Sequence, residues 1–211
     1  MSLNNVFWLG SLTPSCSANS EQRCVTKLLG KTTFHRLELA GINLSASRGH
    51  PAMLVSLIPM SEASFLNYLE QAIPSYAQVN IDSGRWQETG ALTRSKQSHD
   101  RFLPDGLKTK NNYLFNIIEH QTSQAVGHTW LEIQNSASTK AAFIFDIEIY
   151  PMHRRQGYAK SSLGCIEKLA ASLGAITLGL HVFSYNAEAI ALYNNAGYDV
   201  TGQNMQKNIS T

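Results

Sequence analysis

The strongest constraint on this chain lies between Ala141 and Leu173, where the hydrophobic period changes from that of a strand to that of a helix. Phe143-Ile144-Phe145-Asp146-Ile147-Glu148-Ile149 reads as a strand and is closed by Tyr150-Pro151. Leu163, Ile166, Leu169, Ala170 and Leu173 then share one face of a helix running from Gly157 to about Leu173, with Gly174 suited to its end. Between the two sits Met152-His153-Arg154-Arg155-Gln156, a short turn dense in positive charge. A strand feeding a helix through a basic, glycine-ended turn calls for a layered α/β structure.

The flanking sequence extends that pattern. Leu54 to Met60 reads as a strand. Ser61 caps a helix carrying Phe65, Leu66, Tyr68, Leu69 and Ile73. Pro74 is expected to start a second helix with Tyr76, Val79 and Ile81, and Leu92 to Phe102 is more helix. Strands follow at Tyr113–Ile118, Ala125–Ile133 and Ala141–Tyr150, the last two joined by a hairpin turn at Asn135-Ser136-Ala137-Ser138. Ile176 to Phe183 reads as a buried strand. Asn186 caps a final helix to about Ala196, with Gly197 behind it, and Tyr198–Val200 and Asn204–Ile209 read as closing strands. The fold class is α/β (α+β): a mixed, largely antiparallel central sheet flanked by helices, with one crossover.

Residues 1–52 differ from the rest. They are rich in Ser, Asn, Thr and Gly, and their short apolar stretches keep no period. They read as an N-terminal extension of unknown role, while Met53 opens a segment resembling a natural start, which raises a non-native or misassigned start as a reading of the extension. The domain proper is 53–211.

Composition removes several classes. Hydrophobic residues make up 43% of 211, enough for a packed core, and a formal charge of +2 argues against a general nucleic-acid binder. Cys16, Cys24 and Cys165 are too few and too scattered for a disulfide framework or a zinc site, which points to reduced thiols, a cytoplasmic protein and no bound metal. No apolar run is long enough to span a bilayer, so no membrane partner is expected. Homodimerisation stays open.

The basic turn carries the chemistry. A helix start presents unpaired N–H groups and the positive end of the helix dipole, and Gly157 lets the backbone approach an anion. Arg154, Arg155 and Lys160 add charge. A solvated basic loop is the bland alternative. Gly30-Lys31-Thr32 is no P-loop, because Val25 stands where the first glycine is required, and no dinucleotide-type glycine triplet occurs. Downstream, Asn186 and Tyr193 lie seven residues apart, on one helix stripe. Alone, each would read as a cap and a core residue.

Taken together, the strand Phe143–Ile149, the run Arg154-x-x-Gly157-x-Ala159, and Leu180-His181-Val182 followed by Asn186-x-x-Ala189-x-x-Leu192-Tyr193-x-x-x-Gly197-Tyr198 resemble the GNAT superfamily of N-acetyltransferases, small bacterial type. The resemblance covers roughly Met53 to the C-terminus. It implies acetyl-CoA as cosubstrate and direct attack by a primary amine in a ternary complex. The acceptor would be a small-molecule or peptide amine.

The resemblance also implies roles for particular residues. Backbone groups of Ile147 and Ile149, flanking Glu148, would pair with the pantetheine arm. Amides of Arg155, Gln156, Gly157, Tyr158, Ala159 and Lys160, with Arg154 beside them, would hold the pyrophosphate. Asn186 would contact the coenzyme, and Tyr193 would protonate the leaving thiolate as general acid. The N–H of Ile149 or a neighbour would stabilise the carbonyl oxygen in the transition state.

An alkyl ammonium must lose a proton before it attacks. Glu148 is the first candidate for that base, with Asp146 on the same face and His181 and Glu119 in reserve. Strand alternation places Glu148 opposite Ile147 and Ile149 unless a bulge intervenes. Phe143 stands where some family members carry an acid. Substrate recognition is expected from Ser61 to about Asp100, with Glu70, Asp82 and Glu88 attracting a cation and Tyr76 and Trp86 stacking on it. A domain that binds acetyl-CoA or a protein without turnover is the alternative.

Overall fold

The computed structural model describes residues 54–136, 139–205, 207 and 209. The extension 1–52, its two cysteines, Met53 and the tip of the 135–138 hairpin lie outside the described residues. In order, the chain forms β1 (Val55–Pro59), α1 (Glu62–Asp82), α2 (Ala91–Phe102), β2 (Asn112–Glu119), β3 (Ala125–Asn135), β4 (Lys140–Ile149), α3 (Tyr158–Ser172), β5 (Thr177–Leu180) and α4 (Ala187–Asn195). The strands make one sheet in sequence order. β1 to β4 pair antiparallel, and β5 lies parallel to β4 after the α3 crossover. The mixed, largely antiparallel architecture expected from the sequence is the observed one.

Local chemistry explains the element ends. The Ser61 hydroxyl caps α1 by accepting from the Ser64 N–H. Pro74 does not begin a helix. It sits inside α1, which runs unbroken to Asp82. Proline there removes the bond to the Glu70 carbonyl, but Pro74 and Glu70 are both exposed, so water can satisfy that carbonyl.

The two faces of the sheet are packed differently. Against α3 lies an aliphatic layer that includes Ile117, Leu131, Ile144, Ile147, Ile149, Leu163 and Ile166, with Tyr193 of α4 in the same cluster. Against α1 and α2 lies an aromatic layer. There the Trp130 ring stacks on Phe145 with centroids 4.8 Å apart, and His99 and Tyr76 pack behind it.

A bulge in β4 sets what each face carries. Trp130 pairs with Asp146, but Leu131 pairs with Ile144, so Phe145 is an extra residue. Ala142 and Ile144 before it, and Ile147 and Ile149 after it, therefore all belong to the α3 side. Asp146 and Glu148 are left on the α1 side.

The β4–β5 ladder covers only Ala141 to Ile144 and stops where the bulge begins. β5 is accordingly four residues long and half-buried, shorter and more open than the strand expected over Ile176–Phe183. The closing strands at Tyr198–Val200 and Asn204–Ile209 do not form among the described residues. Val200, Met205 and Ile209 are exposed, so alternation there buries nothing that could hold a strand in place.

Candidate active site

Beyond Ile144 the outer edge of β4 has no partner strand among the described residues. The Tyr150 N–H donates to the Val126 carbonyl on β3 at 2.9 Å. Backbone groups of alternate residues point to opposite edges, so those of Ile147 and Ile149 face away from β3, into the gap that β5 leaves. One of these groups is taken, because the Ile149 carbonyl accepts from Arg154 Nε at 2.9 Å. The Ile149 N–H and both backbone groups of Ile147 remain at the open edge.

The basic turn follows directly. Pro151–His153 forms one 3₁₀ turn, Arg155 has a positive φ of 61°, and Gly157 caps α3 at φ 83°. That left-handed geometry suits glycine, and a side chain at 157 would be strained. The first backbone N–H bonded within α3 is that of Ser161, to the Gly157 carbonyl. No acceptor for the N–H groups of Arg155 to Lys160 is found among the described residues. Six consecutive donors at the positive end of a helix make an anion-receptive surface.

The cations expected to serve this loop divide. Arg154 turns to the strand end, bonding Ile149 and pairing with Glu148 Oε1 at 3.3 Å. Arg155 and Lys160 stay exposed, Arg155 lying 3.6 Å from Glu188. Asn186 caps α4, accepting from the Ala189 N–H at 3.2 Å.

Tyr193 is buried, and its ring packs 5.7 Å from that of Tyr198. Burial first, and Asp146 second, hold its phenol proton well above the usual range.

On the α1 side, β3 and β4 bring together a polar cluster that sequence reasoning did not assemble. His128 faces Glu148 across the ladder. Its Nε2 lies 3.2 Å from Asp146 Oδ2 and 3.9 Å from Glu148 Oε2. The Tyr68 hydroxyl donates to the same Asp146 oxygen at 3.1 Å. Burial alone would lower the His128 pKa, but the hydrogen bond and charge of Asp146, helped by Glu148, outweigh it and raise the imidazole above its ordinary value. Burial and the same two carboxylates raise Tyr68 and Tyr150. The signal for His128 was present in Gly127-His128-Thr129, a polar break inside an apolar strand, but only the register places it opposite Glu148.

Tyr68 and His128 of this cluster line a cavity of about 620 Å³. Ser64, Asn67, Tyr68 and Gln71 line it from α1, at the spacing of one helix face, and His128 and Tyr150 line it from the sheet. The helix expected to meet substrate does line the cavity, but through other residues. Glu70, Asp82 and Glu88 are exposed outside it, and Tyr76 and Trp86 pack on each other at 5.3 Å.

The reserve bases also lie elsewhere. Glu119 ties the β2–β3 turn through the Gln121 and Thr122 amides and the Thr122 hydroxyl, bonds that lower its pKa. His181 follows β5. Burial and Arg85 lower its pKa to about 4, and its buried Nε2 has no partner among the described residues.

Comparison with known proteins gives this arrangement its class. The Acetyltransferase (GNAT) family matches residues 80–198, and the chain belongs to that family. The activity that goes with membership is acetyl transfer, and the family generally draws on acetyl-CoA.

Two Bacillus subtilis (strain 168) proteins are similar over nearly their whole length. The uncharacterized N-acetyltransferase YdgE is 33% identical over 157 residues, 74% of this chain and 99% of its own. The uncharacterized N-acetyltransferase YycN is 32% identical over 74% of this chain and all of its own. The crystal structure of YycN superposes with a TM-score of 0.70 over 74% of this chain and 99% of that one. A Pyrococcus furiosus structure named as an acetyl transferase, 22% identical over 74% of this chain and 99% of its own, shares the fold at a TM-score of 0.55.

Proposed function

We propose that this acetyltransferase moves the acetyl group of acetyl-CoA to a primary amine by direct attack, with both substrates bound together. The observation that carries the reading is the run of six amides from Arg155 to Lys160, without an acceptor among the described residues, beside the open edge of β4. A pyrophosphate is the kind of group such a run accepts, and Gly157 leaves it room. The N–H of Ile149 and the backbone of Ile147 suit an extended amide-bearing arm laid along the edge as an added strand. When bound, acetyl-CoA supplies a thioester, an acyl group already activated for attack.

Tyr193 serves the departing sulfur. A thiol has a pKa near ~8.5, well below that of a buried phenol, so complete proton transfer from Tyr193 would run uphill. The phenol therefore acts by donating a hydrogen bond to the sulfur as negative charge grows there. Asn186 holds the start of α4 and with it the approach of Tyr193. Glu148, between Arg154 and His128, lies on the acceptor side of the strand.

The cavity above His128 is the acceptor site in this reading. Its volume suits a small amine or the end of a peptide. Asp146 and Glu148 beneath it favour a substrate that arrives as an ammonium.

Calorimetric titration tests the coenzyme half of the proposal. Acetyl-CoA should saturate the full chain at one per chain, and Gly157→Val should weaken binding at least tenfold by straining the turn and covering its amides. No saturable binding, or unchanged affinity in the folded variant, would contradict it.

A further inference from the structure

We infer that His128, a residue of β3, is the base that takes the proton from the acceptor ammonium, through its Nδ1 atom. The assignment rests on the acetyl-transfer reading above. It starts from the orientation of the ring. Nε2 points at Asp146 Oδ2, 3.2 Å away, in a pocket where both groups are almost wholly buried. A carboxylate can only accept, so the Nε2 proton is fixed there and the lone pair of the neutral ring is on Nδ1. No partner for Nδ1 is found among the described residues, and Nδ1 is not among the buried atoms sealed from solvent without a partner. His128 lines the cavity, and Nδ1 is the ring nitrogen left to face it.

The surroundings suit a base and not merely a buried polar residue. Tyr68 from α1 keeps its own proton and donates to Asp146, which holds the carboxylate against the ring. Tyr150 stands with its ring 5.8 Å from that of His128. Asn116 of β2, the cross-strand neighbour of His128, is uncharged. The charged groups in reach are Asp146 and Glu148 of β4, with Arg154 behind Glu148. Imidazolium formed here keeps its hydrogen bond to Asp146, now strengthened by charge, and lies 3.9 Å from a second carboxylate.

The step balances simply. The ammonium N–H bond breaks, its proton joins Nδ1, and the nitrogen keeps the electron pair that attacks the acyl carbon. Nothing is oxidised or reduced, and the proton later leaves through the open cavity to water. Asp146 is a positioning residue: it sets the tautomer and supports the charge without touching the substrate. Glu148, already paired with Arg154, supports the imidazolium and is not itself the proton acceptor.

The test compares amines that need a base with one that does not. Wild type, His128→Gln, Asp146→Asn and Glu148→Gln are assayed for thiol release from acetyl-CoA with spermidine, phenethylamine and trialanine, and with hydroxylamine, which is already neutral near pH 7. His128→Gln should lose about 100-fold in kcat/KM with the alkyl amines. It should stay within a few-fold of wild type with hydroxylamine, and acetyl-CoA affinity should not change. Asp146→Asn should lower kcat and move the acidic limb of the pH profile to lower pH.

Equal loss with both kinds of amine, no loss with either, or disappearance of the limb in Glu148→Gln alone would overturn the assignment. Nitrogen NMR of the imidazole in the protein alone gives a second reading that holds even if His128→Gln does not fold. The Nε2–H tautomer, with a pKa that falls in Asp146→Asn, is expected, and the Nδ1–H tautomer would overturn it. Absence of wild-type turnover with every amine, beside normal acetyl-CoA binding, would instead strike the acetyl-transfer reading, and the assignment with it.

Discussion

Burial shifts the protonation of Tyr193 and of His181 in opposite directions. Tyr193 sits in the aliphatic cluster with Ile147 and Ile149, with its side chain buried there. In the proposed role, replacing it by Phe removes one hydrogen bond to a developing charge, worth about 1.5–3 kcal/mol, so kcat should fall roughly 10- to 100-fold. Acetyl-CoA affinity, assigned in the proposal to the helix start, should stay within about twofold. Loss of affinity with kcat unchanged would contradict the role.

His181 is a second case, with consequences for stability. Its folded pKa of about 4 lies below the unfolded value of ~6.5, so the folded state prefers the neutral ring. That contribution is fully present above ~6.5 and is lost as pH falls towards 4. His128 has the opposite sign: its raised pKa gives stability that is present below ~6.5 and lost as pH rises through the folded value. Urea unfolding across this range should show His181→Phe losing less stability than wild type on acidification. A parallel pair of curves would contradict this.

At the scale of elements, the site is made by a bulge and an unpaired edge. The extra residue Phe145 turns Asp146 and Glu148 towards α1, and the end of the β4–β5 ladder opens the edge at Ile147 and Ile149. Gly127 lets the two strands close around this geometry, because a Cβ there would fall on the Glu148 carbonyl oxygen. Gly127→Ala should cost about 1–3 kcal/mol in denaturant unfolding and should disturb the His128–Glu148 pair. A neutral effect on stability would show that the strands can part freely at this point.

This is also the scale at which the sequence is legible and then stops being so. The switch of period at Gly157 placed β4, the turn and α3, and the caps at Ser61 and Asn186 placed α1 and α4. Pro74 misled because the cost of a proline depends on whether the orphaned carbonyl meets water, which no local pattern states. His128 was missed for a related reason. Asp146 lies 18 residues from His128 and 78 from Tyr68 along the chain, so only the register and the α1 packing join them.

At the scale of the molecule, the sheet separates two tasks. Its α3 side and open edge present the anion-receptive turn, and its α1 side holds the cavity and the imidazole. The relatives YdgE and YycN are matched over essentially their full length by about three quarters of this chain. The family match runs over residues 80–198, clear of residues 1–52, and removing that segment should leave the fold and acetyl-CoA affinity intact, as read by circular dichroism and titration. An insoluble product would assign that segment to the core.

The most direct test of the account is mass-balanced turnover by the purified full chain. Acetyl-CoA and an alkyl amine should be converted to CoA thiol and N-acetylated amine in equal amounts, with thiol release dependent on the amine. Thiol release without acetylated amine, or tight acetyl-CoA binding with no turnover across the amine panel, would contradict it.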